Sequence, residues 1–349
     1  NDTSKSSAEI YIKSGNTYQP DSTSSGNITT KALRVVGVLT ADGNTINLTG
    51  GGTPLMVTGT LNENTCIFKF TSNINVTIVQ EHYHNIEISP SSVGNPTYLM
   101  DNSGDNLLMN DITIGDGTNP VTIDWLTSGG YSTIAGNITL NNNSTWIKSN
   151  FETILSGTNS IVITDNNSSK QDLGIIESNK TIELGSSITL TRIKIGLSGA
   201  LNLQSSGYAL KITGSGTGAS RPLIISGTLT VGSNSTVEYA GTSATEVQAA
   251  TYNKLNLNQT GTTFTSSGNL TITDIFTINA GTFNAGGNLI LLQGTSTPLV
   301  VNDTFTASTS TVKYNVYANI SILALSYHNL EVGTSLGLTN VTYTLNSGT

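Results

Sequence analysis

Ser235-Thr236-Val237-Glu238-Tyr239 is followed, thirteen residues after Tyr239, by Tyr252-Asn253-Lys254-Leu255-Asn256-Leu257. The same arrangement occurs twice more with identical spacing. Cys66-Ile67-Phe68-Lys69-Phe70 leads to Tyr83-His84-Asn85-Ile86-Glu87-Ile88, and Ser310-Thr311-Val312-Lys313-Tyr314 leads to Tyr327-His328-Asn329-Leu330-Glu331-Val332. Apolar and polar residues alternate in each run, which places the apolar side chains on one face of a strand. Each copy therefore reads as strand, turn, strand, with the aromatic residue that closes the first strand packing beside the Tyr that opens the second. A short lead-in precedes each: Gly59-Thr60-Leu61, Gly227-Thr228-Leu229 and Asp303-Thr304-Phe305. A weaker fourth copy starts at Asn143-Ser144-Thr145-Trp146-Ile147-Lys148 but lacks the downstream tyrosine.

Between the copies the chain breaks into short rungs. The clearest are Gly268–Ile272, Phe276–Gly281, Thr282–Gly287 and Asn288–Leu292, separated by Asn-Ala-Gly and Ala-Gly-Gly corners. Gly and Asn accept positive φ at such corners, while inward Ile, Leu and Phe stack rung on rung. The expected fold is all-β, an elongated β-solenoid or β-helix-like repeat array. Tandem small β-sandwiches are the alternative, since they also give short strands at regular spacing. The expected organisation is an N-terminal strand and flexible linker (1–30), a first β repeat unit (31–95), degenerate middle units (96–225) and C-terminal repeat units (226–349). After the third copy the sequence stops mid-unit at Thr349, and it starts at Asn1 with no signal peptide. It thus reads as a processed product or a fragment, or as an array whose open end a partner completes.

Composition narrows the function. The net charge is −8, and 14 Lys and Arg are scattered singly. No cationic surface exists to neutralise phosphates, which excludes nucleic acid as the expected partner. No apolar run is long enough for a membrane-spanning helix. The single cysteine, Cys66, lies in a strand-like run and reads as a buried small hydrophobe.

The Ser-Thr-Val-Glu/Lys-Tyr, Tyr-x-x-Leu and Gly-Asn-Leu-Thr-Ile pattern, with Asn-Ala-Gly-Thr-Phe, resembles the repeat of very large secreted surface and adhesin-like proteins of bacteria and archaea. The resemblance covers roughly residues 56–90 and 225–349. It implies an extracellular or cell-surface β-rich scaffold and brings no catalytic residues with it.

Candidate sites are few. Sixteen Asn-x-Ser/Thr sequons occur, among them Asn27, Asn75, Asn137, Asn234, Asn269, Asn319 and Asn340. They are glycosylation candidates, although the excess over composition is modest and Asn is also a turn residue. Asp101, Asp105, Asp111 and Asp116 supply the oxygen ligands calcium prefers, yet their spacing fits neither an EF-hand nor a calcium nonapeptide. His82 and His84 share one face of a strand, as a metal pair would, but the repeat already accounts for the Tyr-His-Asn run. The Gly-rich stretch 214–218 has no following Lys and reads as a flexible turn. Acids and bases are too thinly spread for a paired-carboxylate site, so no catalytic residue and no cofactor is assigned. The alternating run Ala8–Lys13, centred on Ile10, Tyr11 and Ile12, is a candidate strand for addition to a neighbouring copy's sheet edge. The expected function is a structural subunit or segment of a filament, sheath or surface layer that binds itself. The first alternative is an adhesin stalk or a module for cell-surface glycans, with Trp125, Trp146 or a surface Tyr stacking on sugar. A polysaccharide-active β-helix enzyme comes third.

Overall fold

The computed structural model is a parallel β-solenoid of about 14 turns. It describes residues 4–20, 27–101, 107–125, 130–204, 207–333 and 341–346. Two compact units divide it, Asn1–Gly185 and Ser186–Thr349.

In the first unit, Ser4–Ile12 pairs in parallel with Ile28–Val35, which carries both Thr45–Leu48 and Leu55–Val57 on its other edge. The ladder continues through Ile67–Phe70, His82–Ile88 and Leu107–Ile114. There it splits: Ser132–Ile134 and Ile138–Leu140 both sit on Leu107–Ile114, and each starts its own column. A second face stacks Val76–Ile78, Thr97–Met100, Val121–Asp124 and Ser144–Ile147. The second unit stacks Ile188–Leu190, Ala209–Ile212 and Thr236–Tyr239, followed by two long strands, Thr251–Ser266 and Leu270–Asn284. Three short strands, Leu289–Leu292, Leu299–Val301 and Thr304–Thr306, then share the far edge of Leu270–Asn284.

The rungs expected at 268–287 are therefore largely one bent strand. Its corner falls at Gly281, with φ +92°, where a Cβ would stand 2.5 Å from the Gln259 carbonyl oxygen. Only glycine takes both the positive φ and the close approach.

The three sequence copies also acquire a meaning that their spacing concealed. Ile67 pairs with Asn85, Thr236 with Lys254 and Thr311 with Asn329, all in parallel. The two strands of a copy are thus successive rungs, eighteen residues apart, as the separations of Lys69 from Glu87 and of Glu238 from Asn256 show. Outward residues of the first and third copies pair by charge, Lys69 with Glu87 and, at 3.1 Å, Lys313 with Glu331, where the second sets Asn256 against Glu238. Such surface pairs contribute at most ~1 kcal/mol each. The weaker fourth copy is not equivalent. Its strand Ser144–Ile147 closes the second face, and side chains rather than a further rung meet it.

Inward residues form the core throughout. Phe68, Phe70, Ile86 and Ile88 in the first unit are fully buried, as are Val237, Tyr239, Leu255 and Leu257 in the second. Cys66 is buried as expected, and burial pushes its thiol up to about 12, which leaves it inert.

Candidate functional site

The tyrosines of the copies are structural. Tyr83 donates its hydroxyl to the Val79 carbonyl, Tyr252 to Gln248 and Tyr327 to Leu323, always four residues back. The thirteen-residue spacing brings Tyr239 and Tyr252 hydroxyls to 3.2 Å, and those of Tyr314 and Tyr327 to 3.1 Å. In the first copy, where Phe70 offers no hydroxyl, Tyr83 packs edge-on against Phe68 at 5.2 Å. Each tyrosine locks the corner between two rungs.

Burial raises these hydroxyls: Tyr83 and Tyr252 lie well above the usual 10.0, and Tyr239 is pushed up to about 12. The folded state therefore holds the neutral form. Its contribution to stability is full below pH 10 and is lost as pH rises from 10 towards about 12. Alkaline titration should show the buried tyrosines ionising together with loss of β circular dichroism in that window. Ionisation of all tyrosines near pH 10 with the dichroism intact would contradict this.

The sequons have a structural meaning of their own. Asn27, Asn75, Asn137, Asn269 and Asn319 each stand directly before a strand, and each uses its Oδ1 to accept a main-chain N–H from the next turn. The donors are Thr45, Thr97, Val162, Leu289 and Thr342, at 2.8, 3.0, 2.8, 2.9 and 2.8 Å. The following apolar residue points inward and the Ser or Thr after it points outward, so corner Asn, core residue and surface hydroxyl together spell a sequon. Asn234 instead takes positive φ, at 70°. All six are exposed. Asn340 lies outside the described residues.

Of the calcium candidates, Asp105 lies outside the described residues, and the bonds described for the rest belong to the coil itself. Asp111 Oδ1 accepts from Asn137 N at 2.6 Å. Asp116 Oδ1 accepts from Thr118 N and Asn119 N at 2.7 and 2.8 Å, and these bonds hold its carboxyl below the usual range. Asp101 gives its N–H to Ile78. His82 and His84 both face outward on the strand His82–Ile88. Among the described residues, no three His, Cys, Asp or Glu side chains group to hold a metal ion.

Two expectations change. Trp125 and Trp146 are only 2% and 6% exposed and stack on each other with centroids 5.1 Å apart. They are core residues of adjacent rungs and present no face to a sugar. The Gly-rich stretch at 214–218 is pinned rather than flexible. Gly216 bridges to Thr245, and Glu246 accepts from Gly218 N at 2.9 Å while pairing with Arg221 at 2.8 Å.

Ile10, Tyr11 and Ile12 lie in register with Leu33, Arg34 and Val35, so this strand is the first rung of its own unit. Tyr11 remains exposed. At the other sequence extreme, Leu330 and Val332 are 39% and 50% exposed, although their counterparts Leu255 and Leu257 are at 1% and 0%. An aromatic column, Phe283, Phe305 and Tyr327, runs towards this rung with centroids 6.2 and 6.3 Å apart.

No protein-family model, curated protein or solved structure significantly matches the chain. The geometry of its own residues therefore carries the functional argument.

Sequence reasoning missed a buried polar knot. Asp165, fully buried at the end of Ile161–Asp165, accepts from Asn167 N, Asn167 Nδ2 and Gln171 N at 2.9, 2.8 and 2.6 Å. This loop turns two side chains onto the last strand of the second face. Ser144 N donates to Asn167 Oδ1 at 3.2 Å, and Trp146 N to Gln171 Oε1 at 3.4 Å. Side-chain amides thus replace the carbonyls of a missing rung. The legible signal was the acid at an inward position, two residues after Ile163 in an alternating run.

Proposed function

We propose that the chain is a structural segment of an extracellular assembly that grows by self-association. The observation that carries this reading is the rung Asn329–Val332, whose inward-type residues Leu330 and Val332 are uncovered. Leu345 and Tyr317, of the same unit, are exposed too, at 61% and 46%. A parallel rung laid on this one would bury apolar surface at about 25 cal/mol per Å² and extend the ladder. The occupant proposed is residues 8–12 of a second copy. Ile10 and Ile12 repeat the i, i+2 alternation of Leu330 and Val332, and every register partner described for that strand lies on one edge, in Ile28–Val35.

The extracellular setting in this proposal rests on the resemblance of the repeat to that of very large secreted surface proteins. The purified chain should associate with rising concentration in sedimentation velocity and form polymers in electron micrographs. Substituting Leu330→Asp with Val332→Asp should leave monomers with unchanged circular dichroism, and deleting residues 1–14 should leave monomers whose β signal falls only by the first rung. A wild-type chain that stays monodisperse at high concentration would overturn the reading.

A further inference from the structure

A second surface, in the first unit, points to a ligand and does not depend on self-association. Tyr131 and Phe151 are exposed, at 46% and 39%, and meet edge-to-face with centroids 6.1 Å apart. They stand just ahead of Ser132–Ile134 and Glu152–Leu155, neighbouring rungs in which Thr133 pairs with Ile154. Ser132, Ile134, Thr153 and Leu155 point inward, so Thr133 and Ile154 continue the outer strip from the aromatic pair.

At the far end, about 13 Å along at ~3.3 Å per residue, both rungs turn beside a groove of about 340 Å³. Asn110, Asp111, Asn137, Thr158 and Asn159 are among its lining residues. Gly157 keeps the corner tight: a Cβ there would stand 1.7 Å from the Ala135 carbonyl oxygen. Asn137 N donates to Asp111 Oδ1 at 2.6 Å, and Asn137 Oδ1 accepts from Val162 N at 2.8 Å. Both side chains are thereby oriented, while Asn137 Nδ2 and Asp111 Oδ2 stay available to a ligand.

We propose that this strip binds a neutral oligosaccharide. Its rings would lie on Tyr131, Phe151 and Ile154, and its hydroxyls would meet the amides, hydroxyls and carboxylate of the groove. The chemistry favours this class. An apolar, aromatic patch beside a few oriented polar groups suits an amphipathic ring. The groove has no lysine or arginine in its lining to clamp a phosphate or uronate, and Lys180, in the adjoining cleft beside Ile154, shares that cleft with the acid Glu177. The two exposed aromatics are also too small a patch for a stable protein interface.

The test uses the full chain produced in a host that does not glycosylate, so that Asn137 is bare. A glycan array and calorimetric titration with cellohexaose and mannohexaose should show saturable binding to neutral glycans. Phe151→Ala should weaken it at least tenfold, and Asn159→Ala severalfold, with unchanged thermal melting because both side chains are exposed. The Leu330→Asp variant should bind as the wild type does, which separates this proposal from self-association. No saturable binding to any neutral glycan, binding to acidic glycans alone, or undiminished binding by a Tyr131→Ala, Phe151→Ala double variant would each overturn it.

Discussion

Phe283→Ala is expected to lower stability by about 3–5 kcal/mol, among the largest effects of any single truncation in the chain. Phe283 is fully buried and lies in register with Phe264 on one side and Phe305 on the other. Phe276 meets it edge-to-face, with centroids 5.0 Å apart and planes at 88°. Its removal opens a cavity that spans three rungs, and backbone ladders hold those rungs too firmly for collapse. In a solenoid each turn is stabilised chiefly by its neighbours, so the loss falls on one interface. Urea unfolding should therefore become broader or split, with the turns after Asn284 melting first. Phe305→Ala, at a half-buried position, should cost clearly less. A single transition with an unmoved midpoint would refute the argument.

Asp165→Ala is expected to cost about 3 kcal/mol or more, because it strands buried donors rather than merely deleting a contact. An unsatisfied buried donor costs about 1–3 kcal/mol, and the Asp165 carboxylate serves three. Lys170 Nζ also reaches the Asp165 and Asn167 carbonyls, at 2.5 and 2.7 Å, so the loop loses its fold as a whole. The second consequence is remote from the substitution. Without Asn167 Oδ1 and Gln171 Oε1, the N–H groups of Ser144 and Trp146 lose their acceptors. Hydrogen exchange should accelerate at Ser144–Ile147 while the ladder around Ile67–Phe70 keeps its protection. Asp165→Asn should fall between the two, since an amide can accept at one oxygen only. Uniform destabilisation of the first unit would show that the knot does not act as a local cap.

The alternation in Val237-Glu238-Tyr239 and Leu255-Asn256-Leu257 was enough to read strands, inward faces and a solenoid. What alternation cannot give is the direction of pairing. A run and its echo thirteen residues on look like a hairpin until Val76–Ile78 is seen on another face between them. Nor does a sequence say which way a lone large residue turns. Trp125 and Trp146 looked like sugar platforms because they are aromatic, yet they fall at inward positions of successive rungs. Tyr131 and Phe151, outside the alternating runs, turn outward instead. Their approach, across twenty residues, follows from the register of Ser132 with Thr153, which depends on the lengths of the corners. Asp165 was legible in principle, as an acid where the pattern demanded an apolar residue.

The asparagines at the rung corners bear on how the protein should be handled. Because the fold itself selects Asn, then an apolar residue, then Ser or Thr, acceptor sequences for oligosaccharyltransferase arise whether or not the native cell ever modifies them. A eukaryotic secretory host would meet exposed acceptors at Asn27, Asn75, Asn137, Asn269 and Asn319. Material from such a host could carry sugar as an accident of backbone geometry, so carbohydrate found on it would record the production system rather than the biology.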